Sequence, residues 1–258
     1  MNTETTGTQK AAALRALHVP GRPLVLPNAW DVASAQMIEK AGFPAVATSS
    51  AAIAAVLGWA DGEAAPVADM LAAAARIARS VSAPVTVDFE RGYGLRPAEL
   101  VERFAGTGAA GLNLEDSDPA TGVMIDAAEQ ADFLAAVRAA AQAAGTDLVI
   151  NARTDSFLRR AGSPQEQLAA SVERGSRYLA AGADCVYPLG AAGPEVIRAL
   201  AEAISGPVNV ARPPQAKATL AELASLGVAR VSFGPSLQRQ AYDWFASTVL
   251  RALADDAR

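Results

Sequence analysis

The 258-residue chain has one cysteine, Cys185, and one histidine, His18. A single cysteine excludes an internal disulfide framework and a cysteine-rich zinc site. No apolar run is long enough to span a bilayer, and the opening MNTETTGTQKAAALRALHV lacks the apolar centre of a secretory leader. An excess of positive charge is also missing: 22 Lys and Arg stand against 27 Asp and Glu, a formal charge of −5. That balance argues against nucleic acid or an anionic membrane as the main partner. The expectation is a soluble, cytoplasmic protein.

Apolar material is abundant, at 51% of residues against 19% charged, enough for a sizeable core. Eight β-rich segments alternate with Ala-rich helical ones: 24–29, 45–50, 85–90, 111–116, 148–155, 185–189, 208–211 and 230–234. The segments between them carry apolar residues at helical spacing, and several end on glycine (Gly42, Gly108, Gly182, Gly227) in the position that closes a helix. The strands are continuous apolar runs, as parallel strands covered on both faces must be. Eight β-α units without a linker predict an α/β fold of one domain over 1–258, a (β/α)8 barrel. It begins with a polar arm and helix over 1–20 and ends in a helical segment over 235–258.

A barrel places its chemistry at the C-terminal ends of the strands. Those ends supply Thr48, Ser49 and Ser50, then Asp61 in the following loop, Asp88 with Glu90, Asn113 with Glu115 and Asp116, and Asn151 with Arg153 and Asp155. Polar groups thin out after the fifth strand. Asp88, Asp61, Glu90 and Glu115 are hard oxygen donors with no His or Cys among them, a set that suits Mg2+ or Mn2+ and not zinc. Arg153 offers a grip for a carboxylate or for a developing enolate oxygen. The small residues Ser49, Ser50 and Ala51 leave backbone N–H groups free for a second anionic group. Together they describe a pocket for a small anionic 2-oxo acid.

Each residue also has a plainer reading. A lone acid at a strand end is more often a helix N-cap or a solvated loop residue, and Asp116, Asp126 and Asp155 fit that description. Arg153 and Asp155 fit a structural ion pair as well. His18 reads as a surface or packing residue and Cys185 as core. What favours function is four acids, one arginine and a small-residue loop gathered at one end of the barrel.

The stretches LPNAWDVASAQMIEKAGFPAVATSS, VDFERGYG, GAAGLNLEDS and INARTDSF, in that order, resemble the isocitrate lyase/phosphoenolpyruvate mutase superfamily. The resemblance implies a (β/α)8 barrel, Mg2+ (or Mn2+) as cofactor, and a homotetramer, a dimer of dimers, whose C-terminal helix swaps between subunits. It implies a 2-oxo acid substrate cleaved at a C–C or P–C bond through an enolate-like intermediate. Asp88 matches the acid that touches the metal and also reaches substrate. Asp61, Glu90 and Glu115 match acids that hold the metal largely through waters, with Glu90 standing where the pattern usually has Asp. Ser49, Ser50 and Ala51 match the carboxylate-binding loop, and Arg153 matches the catalytic arginine. Tyr242, Trp244 and Phe245 on the last helix would face a partner subunit.

The chain departs from the family where the reaction is chosen. Lyases of the family carry a Lys-Lys-Cys-Gly-His type motif after the fourth strand, and here that loop reads EDSDPATGVMIDAAEQ, with no Cys, His or Lys. Mutases use a histidine near the sixth strand, where this chain has VYPLG, and lyases often a Glu where Leu189 stands. The expectation is a Mg2+-dependent lyase or decarboxylase of a small 2-oxo or 2-hydroxy acid, with Tyr93, Asp126 or a metal-bound water as proton donor. The alternatives are a phosphonate mutase or hydrolase and a non-catalytic 2-oxo acid binder.

Overall fold

The computed structural model describes residues 7–257. The expected first strand is two short ones, β1 (Leu24–Leu26) and β2 (Asn28–Ala29), because Pro27 between them has no N–H to give the ladder. Next come β3 (Val46–Thr48), β4 (Val85–Asp88), β5 (Gly111–Leu114) and β6 (Val149–Thr154). β7 (Cys185–Pro188), β8 (Asn209–Ala211) and β9 (Arg230–Ser232) complete the set. All pairings are parallel, β2 through β7 in order in one ladder and β1-β9-β8 in another. The ladders are continuous through β1 and β2, and a Val186–Val208 bridge joins β7 to β8, so the ring closes. All eight expected strands are present.

The helices are α1 (Gly7–Ala16), α2 (Val32–Lys40), α3 (Ser50–Leu57), α4 (Val67–Ser80), α5 (Pro97–Ala105), α6 (Ala127–Ala143), α7 (Pro164–Ala180), α8 (Pro194–Ala203) and α9 (Leu220–Ser225). Their starts are chemically marked. Asp31 with Ser34, Ser163 with Glu166 and Thr219 with Glu222 form reciprocal capping boxes on α2, α7 and α9. The four glycines expected to end helices all take positive φ, between 78° and 101°. Apolar faces of α4, α5 and α6 bury Ile77, Leu100, Phe104 and Leu134 against the strands.

The N-terminal helix α1 plugs the lower end of the barrel. Ala11 and Leu14 pack with Leu24, Leu26, Ala45, Ala110 and Val149, and Arg15 clasps Asp147 at 2.7 Å and Asp184 at 2.6 Å. The polar arm expected before this helix falls on residues 1–6, outside the described residues. Glycine at 111 is a packing necessity there, since a Cβ would meet the Val149 carbonyl oxygen at 2.6 Å. At the other terminus α10 (Ser236–Trp244), a π-helical stretch (Phe245–Leu250) and α11 (Arg251–Asp256) run on as one helical segment. Tyr242, Trp244, Phe245, Leu250 and Leu253 on it are exposed. Among the described residues no helix is long and apolar enough to cross a membrane.

Candidate active site

At the C-terminal mouth of the barrel lies a cavity of about 140 Å³. β2 contributes Asn28, the start of α3 contributes Ser49, Ser50 and Ala51, and the loop after α3 contributes Asp61. Asp88, Asn113 and Arg153 reach it from β4, β5 and β6. Tyr187 and Leu189 come from β7 and beyond it, Ser232 from β9, and Pro235 and Arg239 from the start of α10. A larger groove of about 630 Å³ runs between α8, α9 and the loop 212–219. Its walls are Ile197, Val210, Leu223 and Leu226, and its one acid, Glu222, is committed to capping α9. The acid-rich chemistry belongs to the smaller cavity.

Asp88 is held from several sides. Its Oδ2 accepts from the Ser50 amide at 3.1 Å and the Ser50 hydroxyl at 2.8 Å. The same hydroxyl lies 3.3 Å from Asp61 Oδ1, so one serine brings two carboxylates together. Thr48 Oγ1 accepts from the Asp88 amide at 3.0 Å. On the far side Asn113 points its amide N–H2 at Asp88 Oδ1, 3.5 Å away, because its own Oδ1 accepts from Asn151 (2.8 Å) and Arg230 (3.2 Å). Arg230 is fully buried, and its NH1 lies 3.5 Å from His18 Nε2. His18 is buried as well, with Nδ1 2.8 Å from the Leu14 carbonyl oxygen. Burial and the Arg230 charge push the His18 pKa down to about 4, so the imidazole is neutral packing.

The Ser49–Ala51 loop is more committed than its sequence implied. Ser49 Oγ caps α3 by accepting from the Ala52 amide at 3.4 Å, and Ser50 N–H goes to Asp88. In a first helical turn, where amides lack intrahelical partners, that leaves the Ala51 N–H for an anion.

Arg153 combines the two roles that its sequence left open. Nε and NH2 clasp Asp155 at 2.6 and 2.9 Å, and NH1 meets Glu115. Three of its five N–H donors are thus engaged, while the side chain still lines the cavity. Burial opposes its charge, but Glu115 and Asp155 outweigh burial and hold the pKa above the ordinary guanidinium value. Asp116 lies apart from the cavity, accepting from Tyr178 at 2.8 Å, Arg174 at 3.0 Å and the Asp155 amide at 2.8 Å.

Glu90 does not line the cavity. It is 3% exposed, sits at φ 49°, and accepts from the Tyr93 hydroxyl and from the Glu63 amide at 2.6 Å. Burial pushes its pKa up to about 7, and the Asp88 charge adds to the rise. Burial likewise lifts Glu115 well above the usual range, Arg153 opposing and Asp88 adding. Glu63, which no sequence motif marked, ties this loop down. Its Oε1 accepts from the Arg91 amide (2.9 Å) and the Tyr93 amide (2.6 Å). Glu63, Glu90 and Tyr93 all hold positive φ, backbone strain collected beside a candidate site.

Two expected proton donors lie outside the cavity lining. Asp126 is an exposed N-cap of α6, accepting from the Ala128 and Glu129 amides, which lower its pKa, and it does not line the cavity. Tyr93 spends its hydroxyl on Glu90, does not line the cavity, and is pushed above its ordinary pKa by burial and by Glu90. The β5–α6 loop, where the family keeps its acid motif, is closed on itself. A Ser117–Met124 bridge and Asp118 contacts to Thr121 and Val123 make it a small hairpin. The four expected metal acids do not converge either: among the described residues no three acids, histidines or cysteines gather to share a metal directly.

A family profile described as phosphoenolpyruvate phosphomutase matches residues 14–253. An uncharacterized protein of Mycobacterium tuberculosis is 35% identical over 239 residues, 93% of this chain and 88% of its own. The 2-methylisocitrate lyase of Escherichia coli is 30% identical over 208 residues, 76% of this chain and 67% of its own. The crystal structure of a candidate phosphonomutase from Burkholderia cenocepacia superposes with a TM-score of 0.89 at 46% identity, over 93% of this chain and 99% of that one.

Proposed function

Because the chain belongs to the phosphoenolpyruvate phosphomutase family, within the isocitrate lyase superfamily, we propose that it is a Mg2+-dependent lyase that breaks a C–C bond beside the carbonyl of a small 2-oxo acid. Its relatives are lyases and mutases of that superfamily, and it is an enzyme of that kind. The observation that carries the finer reading is Asp88, fixed at the cavity by Ser50, Thr48 and Asn113 with Asp61 beside it and Arg153 in the same wall.

The donor set fits magnesium. The cavity offers carboxylate oxygens and no histidine or cysteine. A site without three converging side chains suits an ion that takes one or two carboxylates and keeps several waters. It does not suit zinc, which wants three or four protein donors. Asp88 would hold the ion directly, with Asp61, Glu90 and Glu115 reached through water. When bound, Mg2+ would supply Lewis-acid polarisation of the carbonyl.

The chain's own residues do the rest. The Ala51 N–H takes the substrate carboxylate, and the uncommitted N–H donors of Arg153 meet the oxygen on which charge develops as the C–C bond breaks. The bond from the carbon beside the carbonyl to its carboxylate gives its electron pair to the enolate as CO2 departs, and a proton from water restores that carbon. Neither Tyr93 nor Asp126 lines the cavity, and water is assigned the transfer. A volume of about 140 Å³, far below the pockets of drug-sized ligands, restricts the substrate to a few carbons.

The 46% identity to a candidate phosphonomutase favours a second reading, transfer or release of a phosphorus group. NMR of the Mg2+-loaded protein with oxaloacetate and with phosphonopyruvate separates the two. C–C cleavage of the former supports the lyase, and phosphate or phosphoenolpyruvate from the latter overturns it. The exposed Tyr242, Trp244, Phe245, Leu250 and Leu253 support a C-terminal helix exchanged with a second copy in a homotetramer.

A further inference from the structure

Four charged side chains line the cavity: Asp61, Asp88, Arg153 and Arg239. Three are accounted for. The two acids share the Ser50 hydroxyl, and Arg153 is neutralised by Asp155 and Glu115. Arg239 is different: its guanidinium makes no ion pair and no side-chain hydrogen bond with the described residues. An exposed arginine is ordinarily a solvated one, but this one is held over a cavity by its neighbour. Gln238, only 4% exposed, donates Nε2 to the Ala52 carbonyl oxygen at 2.7 Å and so fastens the first turn of α10 to α3, the helix that presents the Ala51 amide.

Asp88 stands on β4, Arg153 on β6, and Arg239 just after β9, so the three are spread around the ring of strands. Leu189 and Pro235 line the same cavity, and their side chains offer a carbon chain contact but no hydrogen-bond donor. A substrate whose carboxylate and keto group occupy the Asp88 wall would lay its carbon chain along Leu189 and Pro235. Its far end would then meet an unpaired guanidinium.

Resting on the 2-oxo acid reading above, we propose that Arg239 is the specificity-determining residue of this pocket. It receives a second anionic group at the far end of the substrate and selects a dianionic 2-oxo acid over a monoanionic one of equal length. Arginine suits the role because its planar fork binds a carboxylate through two parallel hydrogen bonds.

Calorimetric titration with Mg2+ present tests this on oxaloacetate and 2-oxobutanoate, both of four carbons. Wild type is expected to bind the dianion at least tenfold tighter. In Arg239→Gln the ratio of the two affinities falls toward one, and Arg239→Lys, which keeps the charge without the fork, retains part of it. Equal affinity for both acids in wild type, or an unchanged ratio in Arg239→Gln, overturns the assignment of Arg239 and leaves the 2-oxo acid reading standing. Failure of wild type to bind either acid overturns both. Because Arg239 is exposed, its replacement leaves the core intact, and an unchanged thermal midpoint confirms that.

Discussion

Asp88 and its holders show how much a single side chain can demand of its surroundings. One carboxylate takes two hydrogen bonds from Ser50 and faces the amide of Asn113, while Asp61, Glu90 and Glu115 crowd it with like charge. Such crowding is tolerated where a cation arrives and is a stability cost where none does. Asp88→Asn is therefore expected to abolish Mg2+-dependent ligand binding by calorimetry while leaving the thermal midpoint unchanged or higher. Arg153→Met should behave in the opposite way. It strands Asp155 and Glu115 without their cation and costs about 3–5 kcal/mol in chemical denaturation. Asp88 and Arg153 were legible because they lie at the C-terminal ends of strands, where a barrel gathers its polar groups, and Ser50 because it opens the turn after one. Tyr93 and Asp126 were not, because they lie in loops, where no periodicity says which way a side chain points. Arg239 was missed for a related reason: nothing in SFGPSLQRQ marks which turn of a helix leans over the barrel mouth.

At the scale of elements, two loops and one helix decide what the barrel can do. The loop after α3 and the loop after β4 are clamped together by Glu63, whose carboxylate serves two backbone amides. Glu63→Ala leaves those amides without their partner and is expected to cost about 1–3 kcal/mol. The expected readout is faster amide exchange at Arg91 and Tyr93, and protection unchanged from wild type would contradict the clamp. VDFERGYG announced the two acids, but the three positive-φ residues that lock the turn follow from tertiary hydrogen bonds that no local pattern carries. The absent Cys, His and Lys in the β5–α6 loop were plain in the sequence; its closure into a hairpin through Ser117 and Met124 was not. The last helix shows its apolar face to solvent. Replacing Trp244 and Phe245 with Ser should lower the mass measured by light scattering from tetramer toward smaller species, and a wild-type monomer would refute helix exchange.

For the whole molecule, the eight-strand rhythm of the sequence translated into a closed parallel ring, the one irregularity being the split that Pro27 imposes. What the rhythm does not convey is the polarity inside that ring. Asn113 lines the cavity, and through its Oδ1 it joins the buried Asn151 and Arg230, the latter reaching His18 at the lower end. Glu90 and Glu115 add a pH signature to this buried charge. Their folded pKa values lie above the ordinary carboxylate value of 4.5, Glu90 at about 7, so the folded state binds protons more tightly than the unfolded one. The Glu90 contribution is most favourable below pH 4.5 and is lost as pH rises through about 7, and that of Glu115 has the same sign. In EDTA the thermal midpoint should fall across that window, and Glu90→Gln should flatten the fall; a midpoint that rises from pH 5 to 7.5 in both proteins contradicts this.

The central claim is that a small 2-oxo acid binds in this cavity with a magnesium ion held by Asp88. Calorimetric titration of wild type and Asp88→Asn with oxaloacetate, in Mg2+ and in EDTA, tests it most directly. The account predicts one site per chain in wild type with Mg2+ and no measurable binding in the other three combinations. Binding that persists in EDTA and survives in Asp88→Asn would contradict it.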